Sequence, residues 1–165
     1  MKDEIKLSDI NEIQFNYSLK AQEFFSRASQ QEIAIYLSKL NQSYVILRLL
    51  GSFSYEERKT EIDFFFSEIL YFSVNGNPTQ MDLARKIILA INREFLNANI
   101  VSAIDKIIDN EKDDNDIVYI YRYSAELFFL LGFKSYLSNF LEHYCNEPSN
   151  QEVIEIYNDY IMKCF

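Results

Sequence analysis

Helix-start signals recur along this chain so often that little room remains for any other element. Ser29-Gln-Gln-Glu32 is a capping box, in which a hydroxyl and a carboxylate satisfy N–H groups that a first turn leaves unpaired. Asp9 with Glu12, Ser54 with Glu57 and Ser149 with Glu152 repeat that spacing. Asn77 before Pro78 is a further start, since proline fits the first helical position, where its missing N–H costs nothing. Apolar residues follow each start at steps of three and four, which puts them on one helical face. Ile10, Ile13, Tyr17, Ala21, Phe24 and Ala28 form the first stripe, and Ile33, Tyr36 or Leu37, Leu40, Tyr44 and Leu47 the second. Ile62, Phe65, Ile69 and Phe72 form the third, flanked by Phe64 and Phe66, so that it is apolar on more than one side.

The same reading continues to the end. Met81, Ala84, Ile88, Ile91 and Phe95 form one helix, and Asn97 to Asn99 interrupt it before Ile100, Ala103 or Ile104, Ile107 and Ile108. Ile117 to Tyr123 is β-branched and aromatic, but a lone strand has no mates here, and Ile117 to Leu131 reads as one helix. Phe133 to Cys145 is the next helix, and Val153, Tyr157, Tyr160 and Cys164 line the last. Stops are expected at Gly51, because glycine takes left-handed geometry cheaply, at Val74-Asn-Gly-Asn-Pro78 and at the hinge Gly132. Asn41 and Ser43 leave open whether the second stretch is one helix or two. Only 3 Gly and 2 Pro supply too few turns for an all-β chain. The expectation is an all-α fold of seven or eight helices, with residues 1–165 forming one domain.

Two stretches also match each other. Ala84 to Leu96 aligns with Ala125 to Leu137, 41 positions on, so that Ile87 meets Phe128, Ile88 meets Phe129 and Phe95 meets Tyr136. A helical pattern repeating at that period is the mark of stacked helix pairs. The segment Asn99-Ile-Val-Ser-Ala-Ile-Asp-Lys-Ile-Ile108, an acidic turn, and Arg122-Tyr-Ser-Ala-Glu-Leu-Phe-Phe-Leu-Leu131 resembles an armadillo or HEAT unit. In those families a short apolar helix leads through an Asp-rich turn into a helix with a small residue, here Ala125, with Ala84 one unit earlier. The resemblance covers Met81 to Leu141. A third copy keeps Ser43, Ile46 and Leu47 but has Ser54 where the aromatic belongs. It implies an α-α superhelix, a HEAT-like stack of helical hairpins, with a compact irregular helical bundle as the alternative. Such folds bind other macromolecules along an extended surface.

Charge narrows the partner. A net charge of −9 repels phosphate backbones and anionic membrane surfaces, so direct binding to nucleic acid or membrane is not expected. A basic protein is favoured, because opposite charge speeds encounter. The densest acidic run is Asp109 to Asp116. Asp109, Glu111, Asp113, Asp114 and Asp116, with Tyr119 and Tyr123 as aromatic neighbours, are the expected contact residues; a solvated turn is the plainer account of the run. In size, acidity and helical make-up the chain resembles bacterial immunity proteins of contact-dependent inhibition and polymorphic toxin systems. That resemblance implies a cytoplasmic inhibitor that neutralises a basic toxin domain, a nuclease, by occluding its active site. The competing expectation is a helical-repeat adaptor or regulatory scaffold that takes a peptide in a concave apolar groove or self-associates.

Catalytic chemistry finds no footing. His143 is the one histidine, and Cys145, two residues on, faces another direction on a helix. One histidine and two distant cysteines cannot supply a zinc site. Asp109 to Ile120 has alternating acidic groups, but Asp114 stands where a calcium loop needs glycine and Ile120 where it needs glutamate. Gly51, Gly76 and Gly132 are too far apart to cradle phosphate. No catalytic residue, metal or cofactor is expected. Cys145 and Cys164 read as reduced thiols of a cytosolic protein. Met1 to Lys6 lacks the apolar core of a secretory leader, and the apolar runs Tyr44 to Gly51 and Leu127 to Phe133 are too short to span a membrane.

Overall fold

The computed structural model describes residues 7–112 and 117–164, with the backbone alone for 7–11, 40 and 41. Its helices are α1 (Leu7–Arg27), α2 (Gln30–Ser38), α3 (Leu40–Leu50), α4 (Lys59–Phe64), α5 (Phe66–Asn75), α6 (Pro78–Ala90), α7 (Arg93–Glu111), α8 (Ile117–Leu130), α9 (Lys134–Phe140) and α10 (Gln151–Ile161). A 3-10 turn at Glu56–Arg58 leads into α4, and a π-turn at Leu141–Cys145 follows α9. The fold is all-α, with ten α-helices and no strand among the described residues.

That number exceeds the expected seven or eight because two stretches are split. Phe65 leaves helical geometry between α4 and α5 (φ −97°, ψ 18°). On a continuous helix neighbouring residues point about 100° apart. The break lets Phe65 and Phe66 both bury, while Phe64 stays 56% exposed. Lys39 is extended between α2 and α3 (φ −94°, ψ 116°), which resolves the question left at Asn41 and Ser43.

Several expected boundaries move. Asp9 lies inside α1 and is not its cap. The break expected at Asn97 to Asn99 falls instead at Ile91 and Asn92; the Asn92 side chain accepts the Phe95 N–H at 2.8 Å and starts α7. Asn99 is tolerated mid-helix because its amide donates to the Phe95 carbonyl one turn back. Asn150, not Ser149, caps α10 by accepting the N–H groups of Glu152 and Val153; the Ser149 hydroxyl turns away to Glu147. Gly51 does stop α3, but with right-handed backbone (φ −70°). A Cβ there would stand 3.2 Å from the Leu47 carbonyl oxygen, closer than an ordinary contact, and 3.5 Å from Ile87, an ordinary one. Gly132 alone among the glycines takes positive φ, at +66°.

The caps at Ser29 and Asn77 form as read, each a reciprocal box. At Ser54 only half of the expected cap forms: its N–H and hydroxyl donate to Glu57, and no side chain caps the 3-10 turn that follows.

The 41-residue repeat becomes structure. α7 opens at Arg93 and α9 at Lys134, the same offset, and the breaks before them coincide in register. Ala84 and Ala125 are both fully buried, as the small-residue positions require.

Helix α5 is the hub. It packs against α4, α6, α7 and α8, and Ile69, Leu70, Ser73 and Val74 on it are wholly buried. Each such apolar side chain contributes about 1.5–3 kcal/mol. From α5 the contacts pass outward through neighbours: α6 carries α3, which carries α2, and α8 carries α9, the π-turn and α10. Among the described residues no extensive contact joins the α2–α3 pair to α8, α9 or α10. The buried apolar side chains, from Phe25 to Ile156, nonetheless form a continuous cluster.

Candidate partner-binding surface

Three helices offer one face each to a common groove. Ala34, Leu37 and Ser38 come from α2, Ser67, Glu68, Tyr71 and Phe72 from α5, and Ala103, Lys106, Ile107 and Asn110 from α7. Each set keeps the three-and-four spacing that places residues on one helical face. Small side chains at Ala34, Ser38, Ser67 and Ala103 let the floor recede, and the cavity reaches about 730 Å³. Leu37, Tyr71, Phe72 and Ile107 make the lining largely apolar. Glu68 and Lys106 bring one charge of each sign. The Tyr71 hydroxyl accepts the Asn75 amide at 2.8 Å, which fixes the ring from within its own helix.

A second concavity of about 420 Å³ lies across α7 from the first, toward the π-turn. Val101, Ile104 and Asp105 form one wall, and Phe128, Tyr136, Phe140 and Tyr144 the aromatic remainder, with Asn139 and His143 at its polar side. The Tyr144 hydroxyl donates to Asp105 Oδ1 at 2.9 Å. Burial, and then the Asp105 carboxylate, push the Tyr144 phenol well above its ordinary range. His143 sets its ring edge-on to Tyr144 at 4.5 Å and is exposed.

The arrangement supplies no nucleophile with a base. Cys145 is fully buried, and burial pushes its thiol up to about 12, the reverse of what a reactive cysteine needs. Both cysteines are free thiols. Among the described residues no group of three His, Cys, Asp or Glu side chains gathers closely enough to hold a metal ion. Nor is any helix among them long and apolar enough to cross a membrane.

The expected contact residues flank the connection between α7 and α8. Asp109 is exposed and Glu111 half-buried at the end of α7, next to Asn110, which lines the groove. Tyr119, 59% exposed, stands on the first turn of α8. Tyr123 is one turn further on and half-buried, with the Arg85 guanidinium 5.6 Å from its ring centre. Asp113, Asp114 and Asp116 lie outside the described residues.

No protein-family model, curated protein or solved structure matches this chain.

Charge is unevenly shared. Residues 12–51 hold four basic and three acidic side chains, whereas the rest of the chain holds twelve basic and twenty-two acidic. Sequence reasoning names the acidic run; a concave apolar groove enters only with the adaptor reading, and none of its residues is named for it. The groove residues carry no motif; they are ordinary helix-face positions brought together by how α2, α5 and α7 converge.

Proposed function

We propose that this chain is a protein-binding module of the helical-repeat kind, which seats an apolar segment of a basic partner between α2, α5 and α7. The observation that carries the reading is the groove itself, an apolar cavity of about 730 Å³ drawn from three non-consecutive helices. A leucine-sized anchor buried there contributes about 2 kcal/mol, and a few such anchors suffice for a specific complex. The acidic surplus outside residues 12–51 raises the encounter rate with cationic proteins and sets the preference among partners.

Selection from a randomised peptide library on the immobilised chain tests this, with Ala103→Trp, which plugs the groove, as the counter-selection. Enriched sequences should share apolar anchors with basic flanks and should be lost on the plugged variant. Enrichment that ignores the plug, or no enrichment, contradicts the reading.

A second reading is a cytoplasmic immunity protein that neutralises a basic toxin nuclease by occluding its active site. The acidic side chains Asp109, exposed, and Glu111, half-buried, at the end of α7 favour it. It predicts rescue of a cell expressing the cognate nuclease, and association that weakens as salt screens the charges. An association indifferent to salt speaks for the peptide-binding adaptor instead.

A further inference from the structure

Helix α1 leaves the body of the molecule with apolar side chains on two sides. Its last turns are anchored: Ala21 and Phe25 are buried, and Phe24 sets its ring 5.2 Å from Phe25 and 6.2 Å from Tyr36. Further toward its start, Ile13 is 67% exposed and Tyr17, one turn on, 40%, and these continue the stripe beyond its buried end at Ala21. Phe15 and Leu19, also one turn apart, lie on the other side and are 62% and 47% exposed. A helix apolar on opposite sides is built to be enclosed. Among the described residues no extensive contact with another helix encloses it.

Beside it, Phe24, Tyr36, Val45, Ile46 and Leu49 line an apolar groove of about 280 Å³ between α1, α2 and α3. The protruding side chains and the groove that could take them therefore belong to one end of one molecule. That is the condition for an isologous two-fold contact, in which each copy supplies both halves.

Charge selects the occupant. Two copies of a chain of net charge −9 repel each other over most of their surface. The four basic and three acidic side chains of residues 12–51 make this end locally balanced. Two copies can meet here without that repulsion, whereas the acidic remainder disfavours contact elsewhere. Terminal layers of helical stacks otherwise present polar outer faces, and this one does not.

We propose that α1 is a self-association helix: the α1 of a second copy lies in the Phe24–Tyr36–Leu49 groove while Ile13 and Tyr17 of the first lie in that copy's groove. The contact is separate from the α2–α5–α7 groove and stands without it.

Analytical ultracentrifugation of the full chain across a concentration series tests this. The wild type should sediment as a reversible dimer of the 19.6 kDa chain. Ile13→Lys and Tyr17→Lys, both at exposed positions of the face that enters the groove, should leave the circular dichroism unchanged and weaken dimerisation by more than about tenfold. Ala103→Trp, in the other groove, should dimerise like the wild type. A wild type that stays monomeric at every concentration overturns the proposal and leaves the face to a different protein. A dimer that survives both lysine substitutions, or an open-ended series of larger species, overturns it as well.

Discussion

Arg85 and Glu126 occupy the same position in the two copies of the 41-residue repeat, and they bind each other at 2.8 Å. The pair ties α6 to α8 over the buried Ala84 and Ala125. Arg85 Nε also donates to the Ser73 carbonyl at 3.1 Å, joining α5 to the same clasp. The Arg85 side chain is only 14% exposed, so losing its carboxylate leaves a poorly solvated charge. Glu126→Ala should cost about 1–3 kcal/mol in urea denaturation. Replacing both partners, Arg85→Met with Glu126→Leu, should return most of that loss. A double variant less stable than the single one would mean that the pair acts through something other than its charges.

Gly132 closes α8 with φ +66°, and a Cβ there would meet nothing within 4 Å. Backbone conformation alone therefore sets the cost of substitution. Gly132→Ala should lose about 1 kcal/mol and Gly132→Asn less, because asparagine tolerates the left-handed region better. Thermal denaturation of the three proteins should rank them glycine, asparagine, alanine.

Two signs of pH dependence follow from the ionisable groups. The Cys145 thiol moves from an ordinary value of 9.0 up to about 12 through burial. Burial also raises the phenols of Tyr55, Tyr121 and Tyr144 above their ordinary value of 10.0. Groups raised on folding keep their full stabilisation below the unfolded value and lose it as pH climbs through the folded one. Stability should therefore hold up to pH 9 and fall progressively above it, as measured by circular dichroism. A thiol reagent at pH 8 should label the half-buried Cys164 well before Cys145.

On the acid side the sign reverses. The Ser29 N–H and hydroxyl hold Glu32 below its ordinary value of 4.5, and the Ser54 hydroxyl and N–H do the same for Glu57. The stabilisation these hydrogen bonds supply is present above 4.5 and is lost as pH falls through the lower folded values. Ser29→Ala and Ser54→Ala should flatten that acid limb, which a pH series of urea midpoints would record.

Local chemistry carried the fold in the sequence. Ser29, Asn77 and Gly132 each act through a bond or dihedral set within a few residues, so spacing alone identified them. What escaped depended on distant packing. Phe65 breaks its helix because both it and Phe66 find room inside, and nothing adjacent announces that. Asn97 and Asn99 looked like a break because asparagine competes for backbone hydrogen bonds, yet Asn99 satisfies itself one turn back. The stripe through Ile13 and Tyr17 has the period of a buried face and is exposed, because periodicity tells which side is apolar and not what covers it. Which residues line the groove was invisible for the same reason: Ala34, Tyr71 and Ile107 are separated by dozens of residues and meet only in the stack.

Isothermal titration of a library-selected peptide into the wild type and into Ala103→Trp tests partner binding in the α2–α5–α7 groove most directly. The account predicts binding to the wild type with the negative heat-capacity change of apolar burial, and a loss of about tenfold or more in affinity for the plugged variant. Equal affinity for the two proteins would place the contact elsewhere and contradict it.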